Sequence, residues 1–333
     1  MTSAVAILNY NGLNLIKLFL KDNIKNTPNA KIYLIDNNSS DDSVKYVKTT
    51  FPDVKIIQLK KNFGYAGGYN ESIKDINEDL IFFLNNDAVF LDNKSFLDII
   101  EVFEKNKKIS VAQPSIIDFN NKKKYEYAGA SGGFIDFFGY PFCRGRIVEN
   151  IENSDTYNTT REVFWASGCC FVVRNKVFRE LNGFDSDFFS HMEEIDFCWR
   201  LKNKNDNDKI ISVGKSTVYH VGAGTLNYNS SKKYYLNFRN SLFMLLKNVP
   251  SKYLVFVMIS RIFFDFGISI ILFLKFKPRL SISILKAYSY LLFNLFSVIK
   301  KRSESKKIDN YHYCFSLLIN YYLRNLKSFS SFK

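Results

Sequence analysis

Short apolar runs alternate with helically spaced apolar residues over the first 115 positions of the chain. Apolar runs at residues 5–8, 31–35, 54–59 and 81–84 predict strands, and the spacing at 13–20 and 44–47 predicts helices between them. The glycine-rich segment 62–70 is expected to form a loop, and a further helix is expected after it. Such alternation is typical of βαβ units, and it predicts an α/β fold with a mostly parallel sheet flanked by helices.

Polar residues follow the predicted strands, where open α/β sheets bind their ligands. Asp36, Asn62 and Asp87 would lie near one edge of the sheet. The run 79–87 ends in Asn85-Asn86-Asp87, which could meet a divalent metal and the phosphates that it carries. A plain turn is the alternative, because Asn and Asp favour turns.

Two later segments also carry groups capable of chemistry. Glu193, Glu194 and Asp196 place three carboxylates within four residues, and such proximity raises carboxyl pKa values towards those of a general base. The same acids would suit the first turn of a helix capped by Asp185 or Ser190. His220 ends a β-like run and precedes glycines that let a backbone approach a ligand.

The C-terminal part of the chain has a different composition. Residues 254–274 and 282–299 are largely apolar, but Arg261 and Asp265, which could pair on one helix face, interrupt the first stretch, and Lys286 the second. From Ser231 onwards, 18 Lys and Arg face three acids, whereas the preceding residues are nearly neutral. This favours interfacial association with an anionic membrane surface; a buried hairpin, a dimer interface and two true spans are the alternatives.

The N-terminus and the cysteines indicate the compartment. No cationic segment precedes the first apolar run, and the five cysteines form no C-x-x-C pair. We therefore expect a protein with reduced thiols on the cytoplasmic side of the cell membrane.

Seven blocks in order resemble the family-2 glycosyltransferases, and most closely their bacterial rhamnosyltransferase-like and galactofuranosyltransferase-like branch. The resemblance covers about residues 3 to 245, including the Arg239-Asn240 pair, and its blocks are residues 5–12, 34–39, 62–70, 84–87, 181–185, 193–200 and 220–222. It implies a GT-A fold over residues 1–245, inversion at the anomeric carbon and a divalent metal, Mg²⁺ or Mn²⁺. Residues 246–333 would form a basic, aromatic-rich helical region at the membrane.

The resemblance also implies roles for individual residues. Glu194 would be the catalytic base, Glu193 and Asp196 would orient the acceptor, and Asp87 and His220 would bind the metal. The residues expected to line the donor pocket are Tyr10, Asp36, Asn38, Asn62, Gly64, Gly67, Asn70, Asn85, Asn86, Trp165 and Ser167.

Two positions depart from the family's pattern. Glu193-Glu194 stands where most relatives carry Glu-Asp, and Asn85 and Asn86 replace acids of a D-x-D motif, which leaves Asp87 as its one carboxylate. These departures leave open whether the metal is held only when the donor diphosphate also supplies ligands.

The expected function is transfer of a sugar from a dTDP- or UDP-linked donor, with rhamnose as the first choice. The acceptor would be a growing, lipid-linked bacterial surface glycan. No nucleic-acid partner is expected, and a homodimer is possible. A dinucleotide-dependent oxidoreductase is disfavoured because the first turn lacks G-x-G-x-x-G. A non-enzymatic membrane or nucleic-acid binding protein, or an inactive member of the family, are the remaining alternatives.

Overall fold

Strands and helices alternate through the first 85 residues of the computed structural model, which describes residues 1–222, 230–302 and 307–332. This part comprises β1 (Ser3–Asn9), α1 (Leu13–Asn26), β2 (Lys31–Asp36), α2 (Ser43–Thr50), β3 (Lys55–Gln58), α3 (Gly64–Ser72) and β4 (Leu80–Asn85). The four predicted strands and the helices predicted at 13–20 and 44–47 are present, so the α/β prediction is confirmed.

The middle of the chain adds further strands and three helices. They are β5 (Ala88–Phe90), α4 (Asn93–Lys105), β6 (Ile109–Asp118), β7 (Gly133–Ile135), β8 (Pro141–Cys143), β9 (Arg146–Ile147), β10 (Asn150–Ile151), β11 (Arg161–Glu162), β12 (Cys170–Arg174), α5 (Asn175–Glu180), α6 (Glu193–Lys204) and β13 (Lys209–His220). Strands β7 to β10 form a small antiparallel sheet of their own.

The main sheet has the order β11-β13-β6-β12-β4-β1-β2-β3, with β5 paired to β13. Strands β1 to β4 are parallel where they pair, whereas β12 runs antiparallel between β4 and β6. The register places Asn9 opposite Asp36, and Leu8 opposite Asn85. The carboxyl ends of three neighbouring strands therefore meet at one edge, as the sequence predicts.

The strand β4 is buried on both faces, which explains its continuous apolar sequence. Ile81 and Phe83 pack into one apolar cluster, and Leu80, Phe82 and Leu84 pack into the other. A strand buried in this way holds its polar carboxyl end in a fixed position at the sheet edge.

The glycine-rich segment that follows Asn62 forms helix α3, which corrects the prediction that residues 64–70 are a loop. Two glycines allow the close packing of this helix. A Cβ on Gly68 would lie 2.8 Å from Leu8 Cδ1, and one on Gly67 would lie 2.9 Å from Phe63 Cβ. Gly68 thus permits the helix to lie against β1, and Gly67 permits the close approach of Phe63.

Helix α6 begins at Glu193 without a side-chain cap, so neither predicted cap is correct. Met192 occupies the N-cap position with a φ of 72°, and Asp185 instead accepts a hydrogen bond from the Asp187 amide, 3.2 Å away. The three acids nevertheless lie in the first turn of α6, where the helix dipole favours negative charge.

Three long helices follow: α7 (Ser231–Asn248), α8 (Ser251–Leu274) and α9 (Pro278–Lys300). Helix α7 continues through residue 245, and the division of the chain at that residue remains a prediction. The pairing of Arg261 with Asp265 is confirmed at 3.1 Å, and the hydroxyls of Tyr140 and Tyr288 donate to the same buried carboxylate. These charges therefore face the protein interior.

The opposite faces of α8 and α9 expose large apolar side chains. Both helices are long and apolar enough to cross a membrane, judged by length and composition alone. Only 22% of the most apolar 18-residue stretch of α8 is buried, and 33% of that of α9. Exposure on this scale argues against a hairpin that is buried within the chain. Beyond them, residues 307–332 return to the small sheet, where the Leu317 amide donates to Asp136 Oδ2 at 2.8 Å.

Candidate active site

Asp87 and His220 meet at the carboxyl edge of the main sheet. Strand β13 pairs with β5 so that His220 lies opposite Ala88, next to Asp87 in the chain. The Asp87 Oδ1 to His220 Nε2 distance is 3.1 Å, and Asn85 Nδ2 lies 3.4 Å from the same nitrogen. Both predicted metal ligands are buried, and the fold brings them together from positions 133 residues apart.

The spacing of this pair fits two protein ligands of a divalent cation. Ligand atoms at neighbouring corners of an octahedron with bonds of roughly 2.1 Å lie about 3.0 Å apart. Within residues 1–222, 230–302 and 307–332, no group of three or more His, Cys, Asp or Glu side chains could hold a metal ion. A cation at Asp87 and His220 would therefore need further ligands from a diphosphate and water, as Mg²⁺ often does.

Glu126 is a residue of the site that sequence reasoning missed. Its buried carboxylate lies 3.4 Å from His220 Nδ1 and accepts a hydrogen bond of 2.6 Å from the Ala128 amide. A carboxylate behind a ligating histidine fixes the tautomer and orientation of the ring. Burial would lower the pKa of His220, but Cys169, Asp87 and Glu126 raise it above its ordinary value.

Asn86 is held at the sheet edge by Asn9, which was not predicted as a site residue. The Asn86 amide donates to Asn9 Oδ1 at 3.0 Å, and the Asn9 amide donates to Ser43 Oγ at the same distance. A Cβ on Gly12 would lie 2.3 Å from Asn9 Oδ1 and 2.4 Å from Asn86 Nδ2. The block 9–12 thus supports the position of Asn86.

The predicted nucleoside end of the pocket lies beside β2. Asp36 is buried and accepts from the Ser39 amide at 3.3 Å, while Tyr10 is 44% exposed and Asn38 has a φ of 66°. Asn62 is occupied differently: its Oδ1 accepts from the Gly64 amide at 2.8 Å and from Asn37 Nδ2 at 3.1 Å. Asn62 is thus engaged within the turn, and contacts of Asp36 and Tyr10 with a base stay predictions.

Glu193 and Glu194 begin helix α6 with an Oε2 atom each that is buried and has no hydrogen-bond partner among the described residues. Burial raises the pKa of Glu194 to about 7, although the amides of Gly168 and Ile195 counteract the rise. Burial also raises the pKa of Glu193, and the adjacent Glu194 raises it further. A carboxyl that titrates near neutrality suits a general base.

The segment 165–169 connects the two ends of this site. Ser167 is anchored through its amide to Gln113 Oε1 at 2.7 Å, and the Tyr65 hydroxyl donates to the Gly168 carbonyl at 2.6 Å. The Gly168 amide faces Glu194, whereas the thiol of the next residue, Cys169, interacts with His220. This short segment therefore contacts Glu194 at one residue and His220 at the next.

Three predicted site residues make hydrogen bonds within the protein. Asp196 is fully buried and accepts from Arg200 Nε at 2.7 Å, Lys247 Nζ at 2.9 Å and Asn248 Nδ2 at 2.8 Å. Every polar atom of its side chain is engaged in joining α6 to α7, so it has no free acceptor for substrate. Burial opposes ionisation, but Lys247 and Arg200 hold the pKa of Asp196 below its ordinary value.

Asn70 and Trp165 are the other two. The Asn70 amide donates to the Phe184 carbonyl at 2.7 Å and its oxygen accepts from the Phe184 amide at 2.9 Å, so it anchors that loop. The Trp165 indole donates to the Phe134 carbonyl at 2.9 Å, and its ring lies against Gly133, where a Cβ would come within 1.8 Å of ring carbon Cε2. Both side chains are thus engaged in contacts within the protein, and their role in donor binding stays a prediction.

The sheet topology corresponds to the GT-A fold. Two solved structures with this fold superpose on most of the chain at low identity. The Staphylococcus aureus TarS 1–349 structure in complex with UDP-GlcNAc gives a TM-score of 0.55 at 14% identity, covering 91% of this chain and 82% of that one. The mannosyltransferase PcManGT from Pyrobaculum calidifontis, in complex with GDP-Man and Mn²⁺, gives 0.52 at 12% identity, covering 90% and 84%.

The family profile named Glycosyl transferase family 2 matches residues 4–181, and the chain belongs to that family. It is 24% identical over 220 residues to the low-salt glycan biosynthesis hexosyltransferase Agl10 of Haloferax volcanii, covering 63% of this chain and 66% of that protein. It is 23% identical over 224 residues to the N-acetylglucosaminyl-diphospho-decaprenol L-rhamnosyltransferase of Mycobacterium tuberculosis, covering 60% and 67%. About a third of each relative lies outside the match.

Proposed function

We propose that this protein is an inverting glycosyltransferase that moves a sugar from a nucleotide diphosphate to an acceptor hydroxyl in one displacement. The observation that carries the proposal is Glu194, a half-buried carboxyl with a pKa of about 7 whose Oε2 has no hydrogen-bond partner among the described residues. It meets segment 165–169 at Gly168, next to Cys169, which interacts with His220 of the Asp87 and His220 pair. Such an arrangement provides a proton acceptor and a site suited to a metal-bound leaving group.

Each residue has a defined task in this mechanism. Glu194 removes the proton from the acceptor hydroxyl, which attacks the anomeric carbon from the face opposite the diphosphate. Asp87 and His220 would hold a divalent cation, which when bound neutralises the negative charge that develops on the leaving diphosphate. Asn86, fixed by Asn9, orients the donor at the sheet edge, and Asp36 accepts a hydrogen bond from the base.

The donor is proposed to be dTDP-rhamnose, with UDP-hexoses as the next candidates. A relative from Mycobacterium tuberculosis is named as a rhamnosyltransferase, which supports this order. The test is a panel of nucleotide-sugars, measured for binding and for release of nucleotide with Mg²⁺ or Mn²⁺ and without added metal. Metal-dependent release from one donor is expected, whereas binding of none of them would contradict the proposal.

The acceptor is proposed to be lipid-linked, with the protein bound to the cytoplasmic face of the membrane. The exposed apolar faces of α8 and α9 support this placement, with Phe293 and Phe296 exposed by 89% and 81%. At the turn between the helices, Phe276 is 94% exposed and lies between Lys275 and Lys277. An aromatic residue flanked by lysines suits the headgroup region of an anionic bilayer.

Vesicle binding tests the membrane placement with the full chain. Phe293→Ser combined with Phe296→Ser should reduce sedimentation with phosphatidylglycerol vesicles, because both rings would insert between the lipids. Leu97→Ser on α4, at a site that is 46% exposed, is the matched control and should bind as the wild type does. Equal sedimentation of the wild type and the double variant would contradict docking through α9.

A further inference from the structure

The backbone that leads into Glu194 is strained at three residues. Phe189 has φ 61° and ψ −59°, and the Ser190 amide donates to the Phe188 carbonyl at 2.7 Å, which makes a γ-turn of the rare positive-φ form. His191 and Met192 both have a φ of 72°. Each such conformation costs on the order of 1–3 kcal/mol in a residue other than glycine. The surrounding structure must therefore hold this segment in place.

Two side chains of α7 hold one side of the segment. The buried Asn240 Nδ2 lies within hydrogen-bond distance of three backbone carbonyls of the segment. The distances are 2.9 Å to Phe188, 2.9 Å to Ser190 and 2.7 Å to His191. Arg239 Nη2 donates to the Phe188 carbonyl at 3.0 Å, and its Nε donates to Asn240 Oδ1 at 2.8 Å. The guanidinium thus fixes the orientation in which the Asn240 amide donates.

The first turn of α3 holds the other side. The Phe189 carbonyl accepts from the Tyr65 amide at 2.7 Å and from the Ala66 amide at 3.3 Å. A Cβ on Gly64 would lie 2.4 Å from the same carbonyl oxygen, and Gly64 itself has a φ of 72°. The strained turn is therefore fixed between α3, beside the predicted donor pocket, and α7.

We propose that Asn240, oriented by Arg239, is a positioning residue for Glu194. Its amide holds residues 188–191 in their strained form, and this form sets where helix α6 begins and where the Glu194 carboxylate points. The inference rests on the proposed function for the role of Glu194. The hydrogen bonds from Asn240 to residues 188–191, which we call the clamp, do not depend on that role. Neither Arg239 nor Asn240 contacts substrate in this account.

Asn240→Ala removes the clamp, and Asn248→Ala is the matched control. Asn248 lies on the same helix, is equally buried, and donates to Asp196 and the Met244 carbonyl instead of the segment. We expect kcat to fall about 10- to 100-fold in Asn240→Ala, since displacements of about 1 Å have effects of this size, with donor Kd within about twofold. In Asn248→Ala, kcat per folded molecule should change less than about threefold.

Hydrogen exchange supplies a readout that does not depend on activity. The amides of residues 187–194 should exchange faster in Asn240→Ala than in Asn248→Ala, because only the first variant frees the turn. Unchanged exchange would overturn the clamp, whereas faster exchange in a protein that turns over no nucleotide-sugar would support the clamp and contradict the proposed function.

Arg239→Lys is the second variant, in case Asn240→Ala does not fold. Lysine keeps the charge but cannot hold both the Asn240 oxygen and the Phe188 carbonyl. We expect an intermediate loss of kcat, about three- to tenfold, with donor Kd unchanged. A parallel loss of donor affinity, or no loss of kcat in either variant, would overturn the proposal.

Discussion

Asp196→Asn should destabilise the protein strongly while leaving its chemistry almost intact. The carboxylate of Asp196 is fully buried between α6 and α7 and accepts hydrogen bonds from Arg200, Lys247 and Asn248. Asparagine keeps one acceptor oxygen but turns an NH2 group towards a cation. The buried ammonium of Lys247 then retains a single carboxylate partner, Asp185, at 2.7 Å.

The magnitude follows from burial and charge. Removing one partner of a buried ion pair costs about 3–5 kcal/mol, because the remaining charge stays desolvated. Two of the three bonds to Asp196 are charge-assisted on both sides, and each such bond is worth about 1.5–3 kcal/mol. Both approaches predict a loss of about 3–5 kcal/mol in the free energy of unfolding at pH 7.

Urea denaturation at pH 7 measures this loss, and turnover per folded molecule measures the chemistry. Asp187→Asn is the control, because Asp187 is an exposed partner of Lys301 and its loss should cost less than about 1 kcal/mol. A loss below 1 kcal/mol in Asp196→Asn would refute the structural role. A more than tenfold loss of turnover at unchanged stability would restore Asp196 as an acceptor-orienting residue.

Four further predictions concern Glu194, the glycines and Glu126. The kcat/KM should rise with pH and reach half its maximum near pH 7, because Glu194 of the free enzyme must lose its proton to act; equal values at pH 5.5 and 8 would contradict this. Because the pKa of Glu194 is raised in the folded state, the free energy of unfolding should fall as pH rises from the ordinary glutamate range through about 7. In urea titrations, Glu194→Gln should flatten this pH dependence. Gly64→Ala should destabilise the protein by at least about 1 kcal/mol in thermal unfolding, because the new Cβ would meet the Phe189 carbonyl at positive φ. Gly267→Ala in helix α8 is the control and should stabilise the protein by up to about 1 kcal/mol, because no atom lies within 4 Å of the added Cβ. Glu126→Gln should weaken Mn²⁺-dependent donor binding about 10- to 100-fold in calorimetry, through lost orientation of His220; unchanged binding would show that the carboxylate has no such task.

Local sequence pattern predicted the first half of the fold well. Buried strands appear as short apolar runs and amphipathic helices as apolar residues every three to four positions, so the sequence predicts the alternation up to β4. The topology of parallel strands then brings Asp36 and Asp87 to one edge of the sheet. The expectation that His220 acts together with Asp87 came from the resemblance, and the structure brings the two side chains within 3.1 Å. The seven ordered blocks predicted the family, which the match over residues 4–181 confirms.

Tertiary partners decided the points that the sequence left undetermined. Glu194 and Asp196 differ in role because α6 turns Asp196 towards Lys247, 51 residues later, and no local pattern announces that contact. The contact of Glu126 with His220 could not be predicted from the sequence, because it depends on how the fold places the two residues. The glycines of segment 62–70 suggested a loop, but Gly68 serves the close packing of α3 against β1.

Glu194→Gln tests the central claim most directly. The substitution preserves shape while removing the proton acceptor, so turnover of the donor identified in the panel should fall at least about 100-fold. The Kd for that donor in the presence of metal should stay within about twofold, since Asp87, His220 and the sheet edge are unchanged. Turnover retained within tenfold of the wild type, with the variant folded, would contradict the assignment of Glu194 as the base.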